Sequence, residues 1–295
     1  MSDLIESLSA RILAFDLKEG ANPTAIPCIY LIKRTLCTTH RTFYHPLVGI
    51  TLGGYKRTIL SGKEYCYGAG SCLVTGVDLP STSYVLKASL KDPFISFAVH
   101  LDINILTDLA NDLDSYSLGN GGLQNACVLT ATDSLLDVCS KLLSLLESKD
   151  ALDLKVLAPL YLRELHYHLL RAPGGQWLAQ LCMKNNPAIK VAKSVRFLRE
   201  HFKEPIVMDK LASDIGMSVT SFYRYFKKIT GLSPLQFQKT LRLYEGQRLM
   251  MVQNLDVSET AYNIGYQSVP QFIRDYKQMF KVSPARDVAL RLAMT

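Results

Sequence analysis

The apolar positions of this chain change their period near residue 102. Upstream, short runs rich in β-branched and aromatic residues span 28–34, 47–52, 56–60, 71–77, 83–88 and 94–101, after a helical opening at about 3–15. Gly53-Gly54, Ser61-Gly62, Gly68-Ala69-Gly70 and Leu79-Pro80 separate these runs, as turn residues do. Short strands at this spacing favour a small barrel or sandwich. Downstream the period is helical, with long candidates near 132–148 and 153–171 that stop at Arg171-Ala172-Pro173-Gly174-Gly175.

Past residue 187 the pattern repeats itself at a spacing of fifty residues. Ser218, Val219, Phe222, Arg224, Phe226, Lys227, Ser233 and Pro234 return as Ser268, Val269, Phe272, Arg274, Tyr276, Lys277, Ser283 and Pro284. Before each copy lies a short apolar helix, at 208–215 and 257–264, whose small Ala212 or Ala261 suits a close helix crossing. Gly216 and Gly265 end those helices, and Ser218 and Ser268 are placed to cap the next ones. From there Phe222, Phe226 and Ile229 form one apolar stripe, matched by Phe272, Tyr276 and Met279. Two helix-turn-helix units, at about 208–230 and 257–280, are the simplest reading, joined by a helical segment near 236–251.

The faces opposite the stripes carry the chemistry. Thr220, Tyr223 and Arg224 on the first copy, and Gln271 and Arg274 on the second, are the candidates for contact with base edges. Arg can grip guanine O6 and N7, and Gln can pair with adenine. Ser218, Lys227, Lys228, Ser268 and Lys277 are the candidates for holding phosphate. Double-stranded DNA is therefore the expected partner. The charge is shared accordingly: residues 188–295 carry 17 Lys and Arg against 9 Asp and Glu, whereas residues 1–187 carry 16 against 17.

The segments Leu211-Ala212-Ser213-Asp214-Ile215-Gly216-Met217-Ser218, Tyr225-Phe226-Lys227-Lys228-Ile229-Thr230-Gly231-Leu232-Ser233-Pro234 and Gln271-Phe272-Ile273-Arg274-Asp275-Tyr276-Lys277 resemble the DNA-binding domain of the AraC/XylS family of bacterial transcription regulators. Two positions depart from that family's pattern. Val269-Pro270 stands where relatives more often have Pro and then Ser, and Phe280-Lys281 replaces Phe-Gly. Pro270 falls in the first helical turn, where proline is tolerated, so the departures bear on base reading by the second helix and not on its fold.

The N-terminal half resembles the regulatory domain of one subgroup of that family, a cupin-like β-barrel with appended helices. Tyr67-Gly68-Ala69-Gly70, Leu73-Val74-Thr75-Gly76-Val77-Asp78-Leu79-Pro80 and the Leu169-Leu170-Arg171-Ala172-Pro173-Gly174-Gly175 junction carry the likeness. The resemblance implies an α+β fold in two domains: a cupin-like regulatory and dimerisation domain over 1–186, and an all-α tandem helix-turn-helix domain over 187–295. It also implies a small-molecule effector, a homodimer, and RNA polymerase as a candidate partner. Strand alternation then nominates Tyr30, Ile50, Tyr67, Phe97 and His100 to line an effector pocket. Residues 134–148 are apolar over most of a helix's girth, which nominates Leu142 and Leu145 for a dimer contact, with ordinary core packing as the alternative.

Other chemistries find little support. Metal-binding cupins supply a His-x-His pair, a nearby Glu and a later His, and the spacing of His40, His45, Glu64 and His100 does not fit. His166 and His168 are two apart on an expected helix and so point to different faces. The seven cysteines include no Cys-x-x-Cys, and no phosphate loop or Gly-x-Ser-x-Gly elbow occurs. No catalytic residue, cofactor or metal is expected. Without a run of eighteen apolar residues or a basic-then-apolar start, the expectation is a cytoplasmic protein with no membrane partner. The competing reading is a small-molecule-binding or catalytic cupin with an accessory helical domain that serves protein interaction.

Overall fold

The computed structural model describes residues 2–113, 124–182 and 187–292. The chain divides into two compact units, Met1–Ile189 and Lys190–Thr295. The expected boundary at 186/187 falls beside residues 183–186, which lie outside the described ones.

Among the described residues of the first unit ten antiparallel strands form two sheets. The strands are β1 (Gly20–Pro23), β2 (Ile29–Arg34), β3 (Thr39–Tyr44), β4 (Leu47–Gly53), β5 (Tyr55–Leu60), β6 (Lys63–Gly68), β7 (Ser71–Thr75), β8 (Leu79–Lys87), β9 (Phe94–His100) and β10 (Ala126–Thr130). The six-stranded sheet runs β1-β2-β9-β4-β7-β10 and the four-stranded sheet β3-β8-β5-β6. Each therefore ends in two free edges, β1 and β10 in one and β3 and β6 in the other. This corrects the expectation of a closed cupin-like barrel: the domain is a mixed α and β domain with open sheets. Alternation along a strand reports that one face is buried, and two facing sheets bury a face as well as a barrel does. Closure depends on pairing between the outermost strands, which alternation does not encode.

Leu79-Pro80, expected as a turn, instead opens β8. Pro80 lies opposite Phe43 and beyond the β5 ladder, whose last pair is Leu60 with Ser81. With a neighbour on one side only, its missing N–H costs the sheet little.

Helices cover the far face of the larger sheet. They are α1 (Ser2–Leu13), α2 (Ile103–Leu113), α3 (Asp133–Ser148), α4 (Ala151–Arg171) and the single turn α5 (Trp177–Gln180). Arg11 of α1 reaches α3, where its guanidinium donates to Glu147 at 2.6 and 2.9 Å and to the hydroxyls of Ser140 and Ser144. Leu142 and Leu145 are 0% and 6% exposed within this one chain, so core packing accounts for them and they offer no surface for a dimer. His166 is also structural: its Nε2 accepts the Asp102 N–H at 2.9 Å and its Nδ1 donates to the Leu162 carbonyl at 2.6 Å. Burial, the larger influence, holds its pKa below the usual histidine range despite the latter hydrogen bond.

Burial also sorts the thiols. It pushes Cys127 and Cys182 up to about 11 and Cys139 up to about 12, and raises Cys72 further still, whereas Cys37 and Cys66 are exposed. In the folded chain iodoacetamide is expected to label Cys37 and Cys66 first and Cys72 and Cys139 only on unfolding, as peptide mass mapping would read. Equal labelling of Cys72 and Cys66 in native protein would contradict this burial.

The second unit is helical: α6 (Pro187–His201), whose first turn lies before the unit boundary, then α7 (Met208–Asp214), α8 (Val219–Thr230), α9 (Pro234–Val252), α10 (Val257–Asn263), α11 (Val269–Phe280) and α12 (Pro284–Leu292). The segment 202–204 ties it together. Gln238 and Arg242 of α9 donate to the carbonyls of Phe202, Lys203 and Glu204 at 2.6–3.2 Å. These carbonyls follow the end of α6, where a cation is favoured.

Candidate nucleic-acid interface

Local chemistry aims α8 and α11 alike. The left-handed turn at Gly216 (φ 65°) ends the α7 segment, and its carbonyl accepts from Lys190 Nζ at 2.7 Å. The Ser218 hydroxyl then caps α8 by accepting the Ser221 N–H at 3.3 Å. Phe222, Phe226 and Ile229 are buried, with Phe226 meeting Phe222 and α9 Phe237 edge-on at 5.4 Å each. The opposite face presents Thr220, Arg224, Lys227 and Lys228 exposed and Tyr223 half-buried. The Arg224 guanidinium lies over the Tyr225 ring at 4.9 Å.

The second copy follows the same plan with two differences. Ser268 stands at the N-cap of α11, but with φ −146° its hydroxyl makes no capping bond. Pro270, in the second helical position, has already removed one of the two amides such a cap serves. At the other end Lys281 adopts the left-handed cap at φ 63°, where Gly231 serves the first copy at φ 78°. A side chain in that region costs roughly 1 kcal/mol relative to glycine. Lys281→Gly is therefore expected to stabilise the second unit by about that amount in urea denaturation. An unchanged or lowered midpoint would contradict the assignment.

Phe272, Tyr276 and Phe280 are buried beneath α11, while Arg274 and Lys277 are exposed and Gln271 half-buried. Arg274 Nη2 donates to Gln271 Oε1 at 2.7 Å, so the two base-reading candidates stand together. Two buried carboxylates also hold this helix in place. Asp275 accepts from Lys239 Nζ at 3.2 Å and from the Tyr266 hydroxyl at 3.1 Å, and Asp287 accepts from Tyr276 and Gln247 at 2.7 Å each. Burial first, then the charge and hydrogen bond of Asp275, push the Tyr266 phenol above its ordinary range, with Arg242 opposing. Sequence reasoning passed over these aspartates. The available signal was an acidic residue at position 275, three after Phe272 and next to Tyr276, on the side of the helix that is otherwise apolar.

Four of the five candidate effector residues divide between the two faces of the larger sheet. Leu47 pairs with His100, Gly49 and Tyr30 both pair with Ala98, and Thr51 pairs with Ser96, so these residues share one face. Phe94 continues that face, and Lys56 Nζ of the smaller sheet lies 5.5 Å from its ring, so this face looks toward the smaller sheet. Tyr30 and His100 stand there with ring centroids 5.0 Å apart. Tyr67 joins them from the smaller sheet, its hydroxyl 2.7 Å from Thr58 Oγ1. Ile50 and Phe97 pair with each other on the reverse face, which packs against the helices, and are fully buried there. They are core residues. That helix-side face also borders a cleft of about 600 Å³ lined by Leu31, Leu146, Leu154, Lys18 and Lys149 among others.

Between the sheets runs a chain of hydroxyls. Thr58 bonds Tyr67 and Ser83, Ser83 bonds the Tyr44 hydroxyl at 2.9 Å, and Tyr44 accepts from Lys56 Nζ at 2.9 Å. Burial raises the Tyr44 pKa, but the Lys56 charge and the hydrogen bonds outweigh it and the net shift is downward. Burial and the neighbouring Tyr44 push Tyr67 well above the ordinary value. Among the described residues no three His, Cys, Asp or Glu side chains gather as a metal-holding group, and no helix is long and apolar enough to cross a membrane.

Residues 25–177 match the family described as AraC-type transcriptional regulator N-terminus, and residues 211–288 match a helix-turn-helix domain family. Over 104 residues the chain is 31% identical to the HTH-type transcriptional activator RhaS of Salmonella schwarzengrund (strain CVM19633), which takes in 35% of this chain and 37% of that protein's length. ToxT from Vibrio cholerae superposes with a TM-score of 0.56 at 11% identity, covering 88% of this chain and 97% of ToxT. The wild-type ToxT structure with bound unsaturated fatty acid, strain SCE256, gives the same score and identity over 92% and 97% of the two chains. At that identity the likeness to ToxT is one of fold.

Proposed function

Because this chain belongs to the AraC-type transcriptional regulators, we propose that it binds duplex DNA sequence-specifically through α8 and α11 and regulates transcription from the bacterial cytoplasm under the control of a small-molecule effector. One observation carries the reading: two helices of the same plan each bury an aromatic stripe and expose Arg and Lys on the other side. The connecting α9 has 19 residues, so it is about 28 Å long. That length is of the order of the roughly 34 Å between successive major grooves on one face of DNA.

Alanine at Arg224 or Arg274 is expected to cost roughly 1–3 kcal/mol of specific binding, the range for one good base contact, with the fold unchanged. Neutralising Lys227, Lys228 or Lys277 should instead weaken all sequences alike and flatten the salt dependence by about one unit of slope each. Unchanged operator affinity in both arginine variants would overturn the assignment of these helices. On this reading the effector binds between the two sheets, among Tyr30, Tyr67 and His100.

A second copy of the chain is part of the reading, and α4 supports it. Leu152, Val156 and Leu160 recur every four residues along α4 and are 69%, 51% and 58% exposed. An antiparallel pairing of two such helices sets the acidic first turn, with Asp153, against the basic last turn, with His168 and Arg171. Val156→Glu should give a folded monomer in sedimentation where the parent chain is a dimer. A parent chain that is monomeric at micromolar concentration, free and on DNA, would remove the dimer from the account.

A further inference from the structure

The surface between the two sheets is polar to a degree that a plain core is not. Thr51 is fully buried and its hydroxyl has no hydrogen-bond partner. Such an orphan is destabilising unless something satisfies it. It stands opposite Ser96, and Phe94, two residues before Ser96, shares that face of β9. Lys56 Nζ lies 5.5 Å from the Phe94 ring, so the hydroxyl and the ammonium border one region. Lys56 is half-buried and meets the Tyr44 hydroxyl and the rings of Tyr44 and Phe94, but no carboxylate of the described residues comes within 4 Å of it. A half-buried cation without a carboxylate among the described residues, on the same inter-sheet layer as an unsatisfied hydroxyl, describes half of an interaction.

The remaining surroundings define the other half. Hydroxyls of Thr58, Ser83 and Tyr67 line the smaller sheet. On the larger sheet Gly49 carries no side chain, and a Cβ there would stand in ordinary contact with Ser96 Oγ at 3.5 Å. We propose that the inter-sheet surface takes a small hydroxylated carboxylate of the sugar-acid class, its carboxylate on Lys56 Nζ and its hydroxyls on Thr51 and the Thr58–Ser83 chain. This rests on the inter-sheet site as the effector site and adds the chemistry of the effector. A neutral sugar leaves Lys56 without its counter-ion, and an alkyl acid leaves the Thr51 hydroxyl unsatisfied.

Titration calorimetry on the full chain with gluconate, galacturonate, galactose and octanoate tests this. The two hydroxycarboxylates should bind, and galactose and octanoate should each bind roughly tenfold or more weakly, the difference expected for losing one charge-assisted contact or stranding buried hydroxyls. Lys56→Met should abolish the preference for the acid over the neutral sugar, Lys56→Arg should keep it, and Thr51→Val should weaken gluconate without altering octanoate. Cooperative melting of each variant guards against misfolding. Tighter binding of octanoate, or equal binding of galactose and galacturonate, overturns the proposed class. If Gly49→Val, which crowds Ser96 on the inter-sheet face, still lowers affinity for the preferred probe, the inter-sheet site itself stands. Binding that neither Lys56→Met nor Gly49→Val changes removes both the class and the site. No binding of either hydroxycarboxylate to a chain that melts cooperatively overturns the proposal.

Discussion

Glutamate in place of Leu142 should prevent the N-terminal unit from folding. Leu142 is 0% exposed in α3, whose other buried residues include Leu135, Leu136, Val138, Cys139, Leu143 and Leu146. A carboxylate there has neither water nor a cation, and an unpaired buried charge is among the few single changes that cost more than about 4 kcal/mol. That is a large share of the roughly 5–15 kcal/mol by which a domain is stable. The expected result is loss of the near-ultraviolet circular dichroism of the unit, or aggregation, at temperatures where Val156→Glu remains folded. A folded, monomeric Leu142→Glu would place this leucine at a subunit contact instead.

Alanine at Gly265 should be nearly as damaging to the C-terminal unit, although alanine at the matching Gly216 should not. Both glycines have positive φ, 87° and 65°, so both substitutions carry the roughly 1–2 kcal/mol of left-handed backbone. Their surroundings differ. A Cβ at Gly265 would sit 2.0 Å from the Lys203 carbonyl oxygen and 2.8 Å from its carbon, whereas at Gly216 the nearest atom is the mobile end of Lys190 at 3.5 Å. The carbonyl that Gly265 crowds also accepts from Arg242, so the chain cannot draw back without loosening the segment that anchors α9. Gly265→Ala should lower the denaturation midpoint of the isolated C-terminal unit by the equivalent of 3 kcal/mol or more, roughly, against about 1 kcal/mol for Gly216→Ala. Equal effects at the two sites would show that the contact with Lys203 is not maintained in solution.

That pair of glycines marks how far sequence reading reaches. The fifty-residue repeat located α7, α8, α10 and α11, because a stripe at helical spacing and a glycine turn are local patterns. It could not say that one turn is crowded by a distant carbonyl and the other open. The strands expected at 28–34, 47–52, 56–60 and 94–101 correspond to β2, β4, β5 and β9. β3 and β6 went unread because they are edge strands with little buried surface, and Thr39–Tyr44 has no fully buried residue at all. β1 is four residues long and includes a glycine and a proline. In the candidate pocket Tyr30 and His100 face the smaller sheet and Tyr67 faces the larger one from it, while Ile50 and Phe97 lie on the reverse side, since a strand alternates faces and only the register among strands fixes which face is which. Lys56 and Thr51 drew no notice in sequence. Each is ordinary alone, and only the approach of the two sheets brings them to one region. The exposure of the five charged DNA-contact candidates, Arg224, Lys227, Lys228, Arg274 and Lys277, was legible because solvent-facing residues of an amphipathic helix are set by periodicity alone.

Methylation interference on a duplex selected by the purified full chain from fragments of its own genome tests the central claim most directly. The account predicts two clusters of major-groove guanines about 10 base pairs apart on one face of the helix, with Arg224→Ala relieving interference at one cluster and Arg274→Ala at the other. Failure to select any duplex, or interference confined to a single groove and indifferent to both substitutions, would contradict it.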